Sequence, residues 1–278
     1  MPWEFRLALF RSIGRPDYDQ YAGALTLPNP EYPPNPLYIN TRISVNNAGI
    51  KAWSANTAKL RFEYYFEGVG QISIGGFRRH VTNFFASGVL PATPEFLRLH
   101  DLDPEVYGAY PVATNYNLPG TVRMEGLECD YKQALTFLPG WGRGFQVFAN
   151  ASTVRATGES SPAFSDLMPR AYNWGVSYSR LRYNLRVNWN YRGRARAAMV
   201  TGRGIEPGTA VWRSKRLYID VHGEYAFARR FTMFANLRNV GAATEDYKVI
   251  GPSTPPHAQF LQRGDNGALW TFGLKGVF

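Results

Sequence analysis

Apolar and polar residues alternate along much of the chain, and the pattern is clearest near the C-terminus. Between residues 217 and 227 one parity is largely apolar, whereas the other carries Tyr218, Asp220, His222 and Glu224. A period of two is typical of a β-strand whose two faces meet different surroundings. We therefore predict a strand over this segment, a basic turn at 228–230, and a second, antiparallel strand over 231–237.

The same alternation predicts eight further strands, which gives about ten in all. The third strand contains the pair Gly75–Gly76, which we interpret as a β-bulge that shifts the parity. Many of these strands exceed the five or six residues usual in soluble proteins and approach the roughly 9–11 residues that a tilted strand needs to cross a bilayer. The approximate bounds of the eight are 3–11, 59–66, 71–85, 120–137, 145–157, 172–179, 183–192 and 270–278.

The connections between these strands alternate between long and short. Outer-membrane barrels segregate their connections in this way, with short turns at one rim and long loops at the other. Within the second long connection, Thr93 and Asp103 each precede a Pro-Glu pair, which predicts two short helices with N-caps. We predict a single partial β-barrel domain over 1–278, all-β and antiparallel, with long external loops at about 14–55, 86–110, 158–170, 193–214 and 244–264.

Parity alone does not tell which face points inward, so a soluble β-barrel with its apolar face inward is an alternative. The aromatic share of 15% and the segregated loops favour lipid outside. Charges on the polar parity, such as Arg186, Asp220 and Glu224, suit a wet lumen. No run approaches the roughly 18 apolar residues of a membrane-spanning helix, so the membrane interpretation rests on strands.

Composition and charge further limit the classes of protein to which the chain can belong. The net charge of +10 is compatible with a nucleic-acid surface, but the basic residues are scattered along strands, and we predict no nucleic-acid partner. We expect the densest basic group, Arg192, Arg194 and Arg196, to meet anionic lipid head groups at the outer rim. The single cysteine, Cys129, excludes an internal disulfide and a Cys-rich metal site. The first strand begins without a recognisable signal peptide before it.

Candidate chemistry is sparse. Asp220, His222 and Glu224 share one strand face, as a metal site or a catalytic pair would require, but polar residues are normal on a lumen face. We therefore predict no catalytic residue, no metal and no cofactor, and keep a hydrolase using His222 with Asp220 as the weakest alternative. The residues predicted to touch a passing ligand are Arg186, Asn188, Arg192 and Glu224. The aromatic residues predicted to face the membrane are Trp174, Trp189, Tyr191, Trp270 and Phe278.

With these elements in place, the sequence resembles the C-terminal half of a TonB-dependent outer-membrane receptor. The segment from Asn56 to Phe84, with its Phe-Glu-Tyr-Tyr-Phe strand and Gly-Gly-Phe-Arg-Arg run, resembles one hairpin of that family. Asn117, Gly120 and the Gly-Leu-Glu of 126–128 resemble its next strand. The ending is similar in Asn236–Asn239, Arg263–Asp265, Trp270 and Phe278, and departs at Gly276, where an aromatic residue is common. The order and spacing of these loose motifs carry the resemblance over nearly the whole chain.

The resemblance implies roughly the last ten strands of a 22-stranded barrel that an N-terminal plug blocks in the whole receptor. Because the plug, the coupling box and the first strands have no counterpart in the sequence, we expect a fragment or a truncated gene product. Ten is an even number of strands, so a small barrel that closes on itself is the alternative. The implied function is active uptake of a scarce ligand (siderophore, cobalamin or glycan) across the outer membrane. A passive porin-type channel is the alternative.

The resemblance also implies partners. The periplasmic TonB energy-coupling protein would act through the missing plug, and the barrel-assembly machinery would bind the C-terminal strand. Outer-membrane lipid would surround the barrel, and the small-molecule ligand is not identified by the sequence.

Overall fold

The protein is described by a computed structural model over residues 2–22, 25–34, 39–66, 69–161, 164, 167–200 and 205–277. Antiparallel strands dominate these residues. In chain order they are β1 (Trp3–Gly14), β2 (Ile43–Ser44), β3 (Trp53–Phe66), β4 (Gly70–Thr82), β5 (Phe85–Leu90), β6 (Val112–Asn117), β7 (Thr121–Ala134), β8 (Phe145–Thr157), β9 (Arg170–Arg180), β10 (Tyr183–Arg192), β11 (Ala195–Met199), β12 (Ala210–Arg213), β13 (Arg216–Ala228), β14 (Phe231–Arg238), β15 (Glu245–Ile250), β16 (Phe260–Gly264) and β17 (Leu269–Gly276).

Ten of the strands form one large sheet in the order β1-β3-β4-β7-β8-β9-β10-β13-β14-β17. Every neighbouring pair in it is antiparallel. Within the part of the chain that the structure describes, β1 and β17 stand at the two edges and do not pair with each other. The predicted all-β antiparallel architecture is therefore confirmed, and the sheet is an open, incomplete barrel.

The register keeps the apolar parity of every strand on one face of this sheet, which we call the apolar face. The opposite face, which we call the polar face, collects the other parity. One row across eight strands shows the apolar side: Phe5, Phe62, Ile74, Cys129, Ala151, Tyr172, Tyr191 and Leu217. The adjoining row on the polar side consists of Arg61, Gly75, Glu128, Ser152, Ala171, Arg192 and Arg216.

Exposure runs opposite to that of a soluble protein. Leu7 and Leu127 on the apolar face are 63% and 65% exposed, whereas Glu63 and Ser73 on the polar face are 7% and 2% exposed. A soluble barrel would bury the apolar side chains because burial of apolar area drives its folding. This distribution favours the membrane interpretation over the soluble alternative, whose apolar face would point inward.

The predicted bulge at Gly75–Gly76 is wrong. Both glycines keep regular partners in β3 and in β7, without a register shift. A Cβ on Gly75 would lie 2.9 Å from the backbone carbonyl oxygen of Leu60, so this glycine allows a close approach of strands. Among the described residues of this sheet, the register shifts instead between Ala226 and Ala228, beside the basic turn.

The short connections all lie at one end of the large sheet and the long ones at the other, which we call the short-turn rim and the long-loop rim. The segments between the sheet strands at the long-loop rim span 15–52, 83–120, 158–169, 193–215 and 239–268. These contain strands that the sequence pattern did not predict. They form a three-stranded sheet, β2-β6-β5, and a four-stranded sheet, β11-β12-β15-β16.

The first two long segments share a small hydrophobic core. Ile43, Leu97, Tyr110 and Val112 are all at most 5% exposed and contact one another. Tyr110 also donates its hydroxyl hydrogen to the carbonyl oxygen of Tyr32 at 2.7 Å, which ties the two segments together. Most of the buried hydrophobic residues that the structure describes therefore lie in the long-loop segments and not in the large sheet.

Three short helices decorate these segments: α1 (Tyr18–Tyr21), α2 (Pro94–Leu99) and α3 (Pro104–Tyr107). The two predicted helices are confirmed as α2 and α3. Thr93 accepts a hydrogen bond from the backbone N–H of Phe96 at 3.2 Å, and Asp103 accepts one from Glu105 at 2.9 Å, as N-caps do. None of the helices in the described ranges is long and apolar enough to cross a membrane.

Candidate functional site on the polar face

A charged network occupies the part of the polar face built by β3, β4 and β7. Lys59 Nζ lies 2.7 Å from Glu128 Oε2, and Arg61 contacts Glu63 at 2.8 Å and Asp130 at 3.3 Å. The Lys59–Glu128 and Arg61–Asp130 pairs join β3 to β7 across β4. On β4 the small residues Ser73 and Gly75 stand opposite Asp130 and Glu128, and Phe77 is the direct partner of Lys59. Because Ser73 and Gly75 carry little bulk, the long cationic side chains reach over β4 beside Phe77.

Amide side chains continue this network along the sheet. Asn150 donates to Asp130 at 2.8 Å, and Asn173 donates to Asn150 at 3.2 Å. Farther on, Asp220 accepts from the side chain of Asn190 at 3.3 Å and from the backbone N–H of Asn239 at 2.9 Å. The polar face thus presents both charges and neutral hydrogen-bonding groups, which suits a wet lumen and a polar ligand.

Two of the four predicted ligand contacts lie together in one depression of about 580 Å³. Arg186 places its guanidinium 5.8 Å from the ring centre of Phe148, and the buried Oδ1 of Asn188 has no hydrogen-bond partner among the described residues. An unpartnered buried oxygen is costly unless water or a ligand satisfies it. The depression is also lined by Gln146, Ser177, Ser179, Asn184, Asp220, His222, Asn236 and Arg238.

The structure does not bring the other two predicted contacts into this depression. Arg192 lies six residues along β10 from Arg186, about 20 Å at strand spacing, and lines a separate depression with Asp130, Asn150 and Asn190. Glu224 lies two residues nearer the short-turn rim than His222 on β13 and forms an ion pair with Lys275. The four residues therefore share a face but not a pocket.

Asp220 and His222 face the same way but make contacts with different partners. The His222 ring contacts the Asn236 side chain through Nδ1 at 2.5 Å and Glu224 through Nε2 at 3.6 Å. Among the described residues no hydrogen bond joins His222 to Asp220, whose oxygens accept from Asn190 and Asn239. The pair that a hydrolase would need is therefore not assembled in this arrangement.

The arginines predicted to meet lipid at the outer rim have other neighbours. Arg192 is on the polar face, the guanidinium of Arg194 lies 4.2 Å from the ring centre of Trp212, and Arg196 donates to the carbonyl oxygen of Ser161 at 3.0 Å. Arg194 and Arg196 therefore bind groups of the long segments themselves. Their expected role in lipid contact stays a prediction.

The predicted membrane-facing aromatic residues lie on the apolar face. Trp174 and Trp189 are direct cross-strand partners, stacked with ring centres 6.3 Å apart. Tyr191 stacks on Tyr172 at 5.4 Å, and Trp270 is 62% exposed at the edge strand. Phe278 lies outside the described residues. Stacked aromatic pairs of this kind stabilise neighbouring strands.

Sequence reasoning missed the ion pairs across β4 and the residues that β14 adds to the depression, Asn236 and Arg238. The parity of each strand was readable, so the face of each residue could have been assigned. The distances required the register, because contacts across two strands depend on which residues align.

These features first define a class: an antiparallel barrel segment with an apolar outside and a polar inside, of the kind found in outer membranes. The profile of the family described as "TonB dependent receptor-like, beta-barrel" matches residues 2–240. The chain belongs to the TonB-dependent receptor family, whose barrels are outer-membrane structures. The family predicted from the sequence is therefore confirmed. No curated protein matches the chain.

Solved structures of receptors and transporters share this fold. A double mutant of the ferric enterobactin receptor from Pseudomonas aeruginosa aligns with a TM-score of 0.67 and 15% identity over 99% of this chain. The siderophore receptor PirA from Pseudomonas aeruginosa aligns with a TM-score of 0.60 and 12% identity over 99%, and the copper transporter OprC with 0.59 and 16% over 100%. The chain spans 38%, 40% and 37% of their respective lengths. At these identities the likeness establishes the fold alone.

Proposed function

We propose that the chain forms part of the barrel of an outer-membrane transporter that takes up a scarce ligand by TonB-coupled, active transport. The observation that carries the proposal is the division of the ten-stranded sheet into an exposed apolar face and a polar face. In a membrane the first face meets hydrocarbon and the second encloses a hydrophilic space. Membership of the TonB-dependent receptor family supplies the link to energised uptake.

We propose a siderophore or another metal chelate as the first candidate for the ligand. Cobalamin and a glycan fragment are the other candidates. The structures with this fold include a ferric enterobactin receptor, a siderophore receptor and a copper transporter, which supports the order. The polar face offers arginines, carboxylates and amides in two separate depressions. Such a surface suits a polar ligand that exchanges its water shell for side chains.

Within the lumen we propose that Arg186 and Asn188 contact the ligand together, because they line the same depression. Arg192 and Glu224 would meet it at other heights during passage. Arg186 supplies a fixed positive charge next to an aromatic ring, and Asn188 supplies an oxygen that lacks a protein partner. Both properties favour a bound ligand with anionic and donor groups.

The proposed partners follow from the barrel. The TonB energy-coupling protein would act through a plug domain of the whole receptor, and outer-membrane lipid would cover the apolar face. The barrel-assembly machinery would bind β17, whose outer edge is unpaired in the described residues. An unpaired strand edge exposes N–H and C=O groups that another strand can bind.

The experiment that tests the proposal measures uptake of radiolabelled ferric siderophores by cells that express the full-length gene product. Active transport predicts uptake that disappears when the coupling protein is deleted or the proton gradient is collapsed. A passive porin-type channel predicts uptake that survives both treatments and rises linearly with ligand concentration. As a site test, Arg186→Gln should reduce uptake, whereas Arg230→Gln in a short turn should not.

A further inference from the structure

Charged residues interrupt the apolar face near its long-loop end. Arg78, Glu125 and Arg155 are direct cross-strand neighbours on β4, β7 and β8. His80 and Arg123 form the next row towards the rim. All five follow the apolar parity of their strands, so they project to the side that carries Ile74 and Leu127. Charges on a lipid-facing surface are costly at the bilayer centre and are tolerated near the interface, which calls for a partner.

The cluster has more positive than negative charge. Glu125 is contacted by Arg155 at 3.2 Å, by Arg78 at 3.3 Å and by Arg123 at 3.7 Å. One carboxylate thus serves three guanidinium groups. The side chains of Arg78 and Arg155 remain 60% and 70% exposed. Their free N–H groups are available to an anion, and arginine binds phosphate with paired hydrogen bonds.

An apolar groove of about 730 Å³ adjoins these charges on the same face. Arg78 and Glu125 stand at one end of it. Its floor includes Gly76, which has no side chain, and its walls are Phe5, Leu7, Leu60, Phe62, Ile74 and Leu127. A charged head region that opens into an apolar groove matches an amphiphile with an anionic head and an acyl chain.

We propose that this surface binds a phosphorylated lipid of the outer leaflet. Arg78 and Arg155 hold the phosphate, Arg123 adds positive charge, and one acyl chain lies in the groove over Gly76. Glu125 orients the arginines and limits the affinity, because its negative charge repels the phosphate. The inference rests on the proposed membrane barrel, in which this end of the face lies at the outer interface.

The head-group test is a titration of the full-length protein in detergent with lipopolysaccharide, followed by native mass spectrometry. The double variant Arg78→Gln, Arg155→Gln should bind about tenfold or more weakly, since it removes two charge-assisted contacts. Glu125→Gln should bind more tightly than the unchanged protein. The matched control Arg229→Gln, Arg230→Gln removes the same charge at the short-turn rim and should bind normally.

The groove test uses Gly76→Leu, which fills the floor. It should weaken lipopolysaccharide and its dephosphorylated form alike, whereas the arginine double variant should discriminate only against the phosphorylated form. Inorganic phosphate at millimolar concentration should not displace the lipid, since it lacks the acyl chain. Displacement by inorganic phosphate would mean a free-anion site and would overturn the lipid assignment.

Two failures are distinguishable. Equal lipopolysaccharide binding by the unchanged protein and the arginine double variant, both folded in detergent, would overturn this inference and leave the barrel intact. A protein that is monodisperse in water without detergent would instead overturn the proposed function on which the inference rests.

Discussion

Lys59 and Glu128 form an ion pair, with 2.7 Å between Nζ and Oε2, although their strands are not neighbours in the sheet. Strand β4 runs between them, and strands two positions apart are separated by nearly 10 Å. On β4, Phe77 is the direct partner of Lys59, and Gly75 is the direct partner of Glu128. The contact is possible because Gly75 has no side chain, which leaves room for the Lys59 side chain to pass beside Phe77 to Glu128. A glycine in the middle of a long strand therefore has a defined structural role in the polar network.

This relationship predicts unequal effects of alanine at two adjacent glycines. Gly75→Ala should lower the free energy of unfolding by about 1–3 kcal/mol, because its Cβ would lie 2.9 Å from the Leu60 carbonyl oxygen and the strands must shift. Gly76→Ala is the matched control: its Cβ would come no closer than 3.4 Å to a neighbouring atom. It should be neutral or stabilising by up to about 1 kcal/mol. Urea unfolding in detergent measures both, and equal losses would contradict the account.

Removing the charge of Glu128 should lower the free energy of unfolding much less than adding bulk at Gly75. Lys59 and Glu128 are 35% and 33% exposed, so water screens the pair. Partly exposed pairs contribute about 0.2–1 kcal/mol, and Glu128→Gln should destabilise the folded protein by no more than that. The same urea unfolding series checks this value. A loss above about 2 kcal/mol would show that the network behaves as a buried one.

Leu97 anchors the small core of the long-loop segments. It is 3% exposed and packs with Ile43, Tyr110 and Val112. Leu97→Ala should lower the free energy of unfolding of this core by about 2–4 kcal/mol, because the substitution leaves a cavity in a small cluster. The effect should be local: amide hydrogen exchange should rise in β2, β5 and β6 and stay unchanged in β7 and β8. Equal loosening of the large sheet would contradict a separate core.

Asp246 and Arg263 link β15 and β16 with two hydrogen bonds, at 2.6 and 2.9 Å. The hydrogen bond from Arg263 and its positive charge lower the pKa of Asp246 below its usual value. A depressed pKa means that the contact stabilises the strand pair above the unfolded pKa and is lost as the pH falls through the folded one. Hydrogen-exchange protection factors of β15 should therefore fall on acidification below about pH 4.

Asp246→Asn supplies the control for this pH effect. The variant keeps the side-chain shape but cannot titrate, so its protection factors should be low already at neutral pH and should not change over the same acidic range. The Glu206 carboxylate, whose pKa is also lowered by hydrogen bonds from Ser253, remains as a second group in this region. A pH-dependent step that persists in the Asp246 variant would assign the effect to other groups.

The large sheet was predictable because its signal is local. In β10, Tyr183, Leu185, Val187, Trp189 and Tyr191 occupy every second position, and the structure places that parity on the apolar face from Tyr183 to Tyr191. The predicted strand 145–157 coincides with β8. Alternation over ten or more residues is hard to produce by any other element. Strand positions and faces therefore followed from the residues alone.

Other features depend on contacts that a local pattern does not encode. Strands β2 and β12 have only two and four residues, too few for a periodic signal. The bulge expected at Gly75–Gly76 was wrong because a glycine pair marks a bulge and a close approach equally well. The arginine cluster on the apolar face could be recognised in part from the sequence, because Arg78, Glu125 and Arg155 stand at apolar-parity positions of their strands. Their convergence on one carboxylate needed the register.

The central claim is that the apolar face meets hydrocarbon, and Cys129 allows a direct measurement of it. This cysteine is the single one in the chain and lies on the apolar face between Ile74 and Ala151. A nitroxide attached to it in protein reconstituted into lipid vesicles, with any cysteine elsewhere in the gene product replaced by serine, reports collisions with oxygen and with a water-soluble nickel chelate. The account predicts frequent collisions with oxygen and few with nickel at Cys129, and the reverse for a nitroxide at Asp130→Cys in a Cys129→Ser background. Nickel access at Cys129 together with protection at position 130 would contradict it.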